Sequence, residues 1–162
     1  MIGLIMSSVK YRALCLVIVG WSYSADLEVK SASKVCRDVA TEAQRQNVPV
    51  DEALALTWAE SRFSYEPNKI TGAQGPMQVL PKWWCKKKGK CNYVRAGVTA
   101  LKTFKKLFPP FKNAICHYNS GVQEDCPSRS VRFAEAVEGY RVKIKREINK
   151  QNRVEKKKEQ KQ

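Results

Sequence analysis

Apolar residues recur at helical spacing along most of this chain of 162 residues, and nowhere do they alternate for long enough to indicate a strand. A segment from Asp51 to about Arg62 is apolar on most sides, Pro109 and Pro110 end a later segment, and a short helix FKNAICHYN follows. Three segments carry clear apolar stripes: Val35, Cys36, Val39, Ala40 and Ala43; Val94, Val98, Leu101, Phe104 and Phe108; and Phe133, Val137, Tyr140, Ile144 and Ile148. The sequence therefore predicts a mainly helical fold, with minimal strand content at most, and its length suits one domain.

The first residues predict a targeting segment. Lys10 and Arg12 give a positive flank, residues 13–21 (ALCLVIVGW) form an apolar core, and residues 22–24 form a small-x-small cleavage site. This core is too short to span a bilayer, which needs roughly 20 residues. We therefore predict a signal peptide over 1–24, a polar linker over 25–34, the domain over 35–150 and a basic, disordered tail over 151–162. An anchor that is kept or released later, and a start at Met6 instead of Met1, remain open.

Export would place the remaining five cysteines in an oxidising compartment, where disulfides form. Cys85 and Cys91 enclose KKKGK, and Cys116 and Cys126 enclose nine residues, so these are the expected pairs. Cys36 is then expected to be single, reduced and buried, although a Cys36–Cys126 bond is an alternative. The spacings C-x5-C and C-x9-C do not fit the usual zinc sites, and we expect no metal and no other cofactor.

The chain is strongly basic, with a formal net charge of +15. Between residues 67 and 123 there are eleven Lys or Arg residues and no acid. Such a charge favours a polyanion, whether nucleic acid, anionic lipid or an acidic cell-wall polymer. Export, disulfides and the absence of a known nucleic-acid-binding motif argue against nucleic acid. The alternative is a basic surface that serves only solubility.

Glu60 occupies an unusual position, because it closes the apolar run of the helix that starts near Asp51. Burial there would disfavour the charged carboxylate and raise its pKa, as in the general acids of glycosidic cleavage. The alternative is an ordinary surface glutamate at a helix end. Glycosidases usually need two carboxylates, yet no acid occurs between Glu66 and Glu124, and we expect Glu66 to face solvent. In a glycosidic reaction, one carboxylate would then perform both proton steps with help from the substrate.

Three short motifs carry a family resemblance. AESRF at residues 59–63, GAQGPMQ at 72–78 and HYNSG at 117–121 resemble, in order, the motifs of the soluble lytic transglycosylases, which share a lysozyme-like fold with goose-type lysozymes. The match spans roughly residues 35–142. Two positions depart from the family pattern: Pro76 stands where leucine is usual, and His117 replaces a small residue. We expect His117 to be a wall or packing residue, since the family needs no histidine.

The resemblance implies a lyase that cuts the β-1,4 bond between N-acetylmuramic acid and N-acetylglucosamine in peptidoglycan. Glu60 matches the catalytic acid, which protonates the glycosidic oxygen and then, as a base, takes the proton from the muramyl 6-hydroxyl. The product carries a 1,6-anhydromuramyl end, and the substrate's N-acetyl group is expected to do the work of a second carboxylate. Ser61 matches a substrate-side hydroxyl, and Met77 and Gln78 match residues that line the sugar groove. Tyr118 matches a tyrosine that hydrogen-bonds the catalytic carboxyl.

The remaining expectations concern the surroundings of this site. Asn119 matches a residue that shapes the same wall as Tyr118, and Trp83 and Trp84 are candidates for stacking on sugars or for packing. We expect a periplasmic or extracellular monomer, without a stable membrane span, acting on peptidoglycan glycan strands. A wall-spanning secretion or conjugation apparatus, or a phage, could employ it. A hydrolysing lysozyme on the same fold and a non-catalytic cationic cell-wall-binding protein are the alternatives.

Overall fold

The computed structural model describes residues 10–86, 90–121 and 125–160, and this part of the chain is mainly helical. Its seven helices are α1 Arg12–Val19, α2 Asp26–Arg45, α3 Val50–Ser61, α4 Pro81–Trp84, α5 Tyr93–Leu107, α6 Phe111–Ser120 and α7 Ser128–Glu159. The described residues contain no strand, only an isolated antiparallel bridge between Gln74 and Val79. The prediction of a mainly helical single domain is confirmed.

Helix α3 is the centre of the core. Residues 53–58 of α3 are all buried, and α3 packs against both α2 and α7. Helix α6 in turn packs between α5 and α7. Because α3 is surrounded on most sides, its apolar run needs no polar face, which explains the weak amphipathic pattern of this segment in the sequence. The end of α3, which carries Glu60, therefore lies in the middle of the fold.

Two segments that we expected to be irregular are helical. Helix α2 begins at Asp26, so the expected linker over 25–34 instead contributes more than two turns of helix. It continues the apolar stripe of α2 toward the N-terminus, with Ala32 and Ser33 buried. At the other end, α7 runs to Glu159, so residues 151–159 of the expected disordered tail are helical. That extension is mostly exposed, consists largely of good helix formers and contains no proline or glycine that would end it.

The N-terminal segment packs onto the domain. Helix α1 buries Leu14, Cys15, Ile18 and Val19, and Cys15 forms a disulfide with Cys36 across a Cα–Cα distance of 5.7 Å. The expectation that Cys36 stays single and reduced is therefore wrong, because it assumed that Cys15 leaves with the leader. Cleavage after residue 24 stays a prediction. Among the described helices, none is long and apolar enough to cross a membrane.

The other two disulfides agree with the sequence. Cys85 pairs with Cys91 and Cys116 pairs with Cys126, which also excludes the alternative bond from Cys36 to Cys126. All six cysteines are thus paired. Three disulfides in a chain of this size are typical of an oxidising compartment.

Candidate active site

A tight loop lies beside the end of α3. Two backbone hydrogen bonds close it, from Gln74 N to Val79 O at 2.8 Å and from Val79 N to Gln74 O at 3.0 Å. Gly75 within it has φ +76°, and a Cβ at this position would lie 2.3 Å from Cβ of Tyr93. Glycine is therefore required twice, for its backbone conformation and for the close approach to α5. The loop 74–79 is the second of the three sequence motifs.

Two hydroxyl groups hold this loop from opposite ends of the sequence. Ser61 Oγ, from the last residue of α3, donates to the carbonyl oxygen of Pro76 at 2.6 Å. The hydroxyl of Tyr118, from α6, donates to the carbonyl oxygen of Met77 at 2.7 Å. The three motifs, which are separated by up to 60 residues in the sequence, therefore meet at one place in the fold.

Glu60 lies at this meeting point, directly before Ser61. Its side chain is half-buried, and no described residue forms a hydrogen bond or ion pair with its carboxyl group. Burial raises the pKa of Glu60 to about 8, so most of the molecules carry a protonated Glu60 at neutral pH. The expectation of a raised pKa is confirmed. A neutral, solvent-reachable carboxylic acid can donate a proton to a bound substrate.

Tyr118 is the immediate electrostatic neighbour of Glu60. Burial raises the pKa of the Tyr118 phenol well above its ordinary value, and the Glu60 carboxylate raises it further. The hydroxyl of Tyr118 nevertheless donates to Met77 and not to the carboxyl group that the resemblance led us to expect. Its observed contact is to the loop backbone beside Glu60.

The backbone around Glu60 is strained. Arg62 and Phe63, which follow α3, have φ of +51° and +62°, and Gln78 at the end of the loop has φ of +51°. Left-handed conformations are unfavourable for residues other than glycine, and they persist where the surrounding structure enforces them, often at functional sites. Phe63 is almost fully buried, which anchors the strained turn. Such a turn fixes the direction in which α3 ends and thus the position of Glu60.

The expected sugar-contacting side chains mostly contact protein. Met77 is fully buried and packs on Gly97 of α5, so its side chain does not line an open groove. The side-chain amide of Gln78 donates to the carbonyl oxygens of Glu66 at 3.0 Å and Gly75 at 2.9 Å. Asn119 Oδ1 accepts a hydrogen bond from Ser130 at 2.7 Å. These contacts arise because a six-residue loop with few ladder bonds needs side chains to satisfy its backbone carbonyls.

Two supporting residues escaped the reading of the sequence. A Cβ on Gly97 would lie 2.6 Å from Cβ of Met77, so only glycine lets the loop reach α5. The hydroxyl of Tyr93 donates to Gln74 Oε1 at 2.6 Å. A glycine inside a helical pattern is the one sequence signal that pointed to such a close approach.

Burial is the sole cause of the raised Glu60 pKa, so no described carboxylate lies close enough to act on it. Glu66 is exposed. Asp51 and Glu52 lie at the other end of α3, where they pair with Arg141 and Lys105. Glu124 lies outside the described residues.

A cleft of about 1040 Å³ lies along the start of α5, and we call it the lysine cleft. Its walls include Tyr65, which follows the first motif, and Tyr93, which contacts the second. Lys82, Lys86 and Lys90 give it a basic lining. Its size and charge suit a segment of an anionic polymer.

The aromatic residues near this cleft differ in their roles. Trp83 is 71% exposed and carries the ammonium of Lys82 over its ring at 5.1 Å. Trp84 instead packs on Phe104, so packing describes it better than sugar stacking. His117 is buried and stacks on Phe108 with a centroid distance of 3.9 Å, which confirms a packing role.

Comparison of the chain with protein-family models, with curated proteins and with solved structures found no match. The interpretation of the site therefore depends on its own residues and geometry.

Proposed function

We propose that this protein is an exported peptidoglycan lytic transglycosylase on a lysozyme-like fold. The observation that carries the proposal is the protonated, half-buried Glu60 that no second described carboxylate approaches. A hydrolytic glycosidase needs a partner carboxylate at about 5–5.5 Å or at about 6.5–9.5 Å. A site with one acid instead suits a reaction in which the substrate supplies the nucleophile.

The chemistry assigns two successive proton transfers to Glu60. The neutral carboxyl group donates its proton to the glycosidic oxygen while the bond from that oxygen to muramyl C1 breaks. The resulting carboxylate then takes the proton of the muramyl 6-hydroxyl as O6 forms its bond to C1. Atoms and charge balance, the 1,6-anhydro ring forms without water, and Glu60 ends the cycle protonated. A pKa of about 8 suits both steps, because the ideal catalytic pKa lies near the working pH.

The surroundings of Glu60 support this role through positioning. Ser61 and Tyr118 fix the loop 74–79 on two sides of the acid, and the left-handed turn at Arg62 and Phe63 fixes the helix end. Rigid placement of an acid contributes to catalysis because its reorganisation does not have to occur during the reaction. The lysine cleft offers a basic groove for the glycan strands of the wall, and the disulfides fit a periplasmic or extracellular location.

The test is product analysis on purified peptidoglycan. Mass spectrometry should detect muropeptides with 1,6-anhydromuramyl ends, each lighter by one water than the hydrolytic product. Glu60→Gln should abolish their release, by about 10² to 10⁴ or more, while Glu66→Gln, an exposed carboxylate nearby, should leave it largely intact. Reducing muramic acid ends together with loss of activity in Glu66→Gln would identify a two-carboxylate lysozyme. Binding to peptidoglycan without cleavage would identify a non-catalytic cell-wall-binding protein.

A further inference from the structure

A second cleft lies on the side of α3 that faces the end of α7. Its volume is about 490 Å³, and we call it the basic cleft. Trp58 of α3, Arg62 of the strained turn, and Tyr140, Lys143 and Arg146 of α7 form most of its wall. None of these side chains has a role in the proposed proton transfers.

The charge of the basic cleft is unbalanced. Glu147 is the one acid in its wall, and it already accepts a hydrogen bond from Lys150 at 2.7 Å. Arg62, Lys143 and Arg146 form no ion pair with any described residue and are exposed. Three cations around one concave site without a protein counterion favour an anionic ligand.

Aromatic surface lies beside these cations. The guanidinium of Arg62 lies over the ring of Trp58 at 5.1 Å, and Trp21 meets the same ring edge-on at 5.8 Å between centroids. Stacking holds the Arg62 group in place and leaves its N–H groups free for a carboxylate, which a guanidinium can bind through two hydrogen bonds. A concave wall with fixed donors suits a discrete carboxylate ligand better than a flat lipid surface.

The position of the cleft relative to Glu60 defines the ligand further. Arg62 follows Glu60 by two residues, so their Cα atoms are at most about 7.6 Å apart. Trp58 precedes Glu60 by two residues, and at about 100° per residue their side chains leave opposite sides of α3, which is about 10 Å wide. A ligand that links the two sides must therefore span roughly 10–15 Å. A peptide of about four residues reaches about 14 Å when extended.

We infer that the basic cleft binds the carboxylate-bearing stem peptide that branches from the muramyl residue of peptidoglycan. The inference rests on the proposed function, because it assigns to the glycan held at Glu60 a peptide that passes around the end of α3. Arg62, Lys143 and Arg146 bind its carboxylates, and the cleft thereby selects peptide-substituted strands over bare glycan.

The experiment compares two variants of the full-length protein. Lys143→Gln with Arg146→Gln removes two cations from the cleft, and Lys157→Gln with Lys158→Gln removes two from the exposed end of the same helix. The probe is the tripeptide L-alanyl-γ-D-glutamyl-diaminopimelate, with its affinity measured by isothermal titration calorimetry at low salt. We expect the cleft variant to bind it about fourfold more weakly, since each exposed charge contact contributes a factor of about two, and the control to match the wild type.

Cleavage provides the second readout. The wild type should cut peptide-bearing strands faster than strands stripped by an amidase, and the cleft variant should lose this preference while it retains its rate on stripped strands. Equal tripeptide affinity in wild type and cleft variant overturns the inference, and binding of the cleft cations only to phosphatidylglycerol vesicles does so in favour of a lipid surface. If the wild type cuts neither substrate, the proposed function fails alone, and the tripeptide titration still decides the role of the cleft.

Discussion

The buried acid makes a prediction about stability that is independent of catalysis. Replacing Glu60 by glutamine keeps the shape of the side chain and removes its titration. In the folded protein the pKa of Glu60 is about 8, against an ordinary value of 4.5. At about 1.4 kcal/mol per pH unit, this difference corresponds to about 5 kcal/mol of unfolding free energy.

The sign follows from proton binding. The folded chain holds the Glu60 proton more tightly than the unfolded chain, so the stabilisation is fully present below a pH of about 4.5. It is lost as the pH rises through about 8, since ionisation then proceeds in a half-buried site. Glutamine has no such dependence. The unfolding free energy of Glu60→Gln should therefore rise relative to the wild type by about 4 kcal/mol between about pH 5 and about pH 9.

Urea unfolding at a series of pH values, followed by circular dichroism, measures this difference. Glu66→Gln is the matched control, because Glu66 is exposed and its replacement should change stability equally at all pH values. The opposite outcome for Glu60→Gln, a difference from the wild type that does not vary with pH, would refute a buried, neutral Glu60. The proposed general acid would then lose its physical basis, whatever the activity of the variant.

Three further predictions concern the frame of the site. Gly97→Ala should lower the unfolding free energy by about 1–3 kcal/mol in urea titrations, because its Cβ would collide with Met77, whereas Gly139→Ala, with nothing within 4 Å, should be neutral or stabilising; equal effects would contradict the tight packing. Tyr118→Phe should cost about 1–2 kcal/mol and slow peptidoglycan cleavage, because a loop carbonyl loses its donor; unchanged turnover would remove this bond from the positioning of Glu60. Cys36→Ala should lower stability by about 3 kcal/mol, the chain-entropy value for a bond across 21 positions, and peptide mapping of the unreduced protein should find Cys36 bonded; a free thiol there would contradict this pairing.

The sequence by itself determined the helices and the identity of the unusual acid. Apolar stripes at helical spacing depend on local periodicity, so the bodies of α2, α5, α6 and α7 could be read directly. Glu60 stood out because an apolar run around it left no solvent-facing side, and burial follows from that run. Short cysteine spacings likewise determined two disulfides, since few residues separate the partners.

The tertiary structure alone decided which groups surround that acid. The bonds from Ser61 and Tyr118 to the loop join residues 15 and 41 positions apart, and such distances in sequence leave no local pattern. The pairing of Cys36 and the basic cleft between α3 and α7 have the same origin, because both depend on helices packing side by side. Periodicity specifies which face of a helix is buried, whereas the neighbour that covers this face is selected by packing of the whole chain.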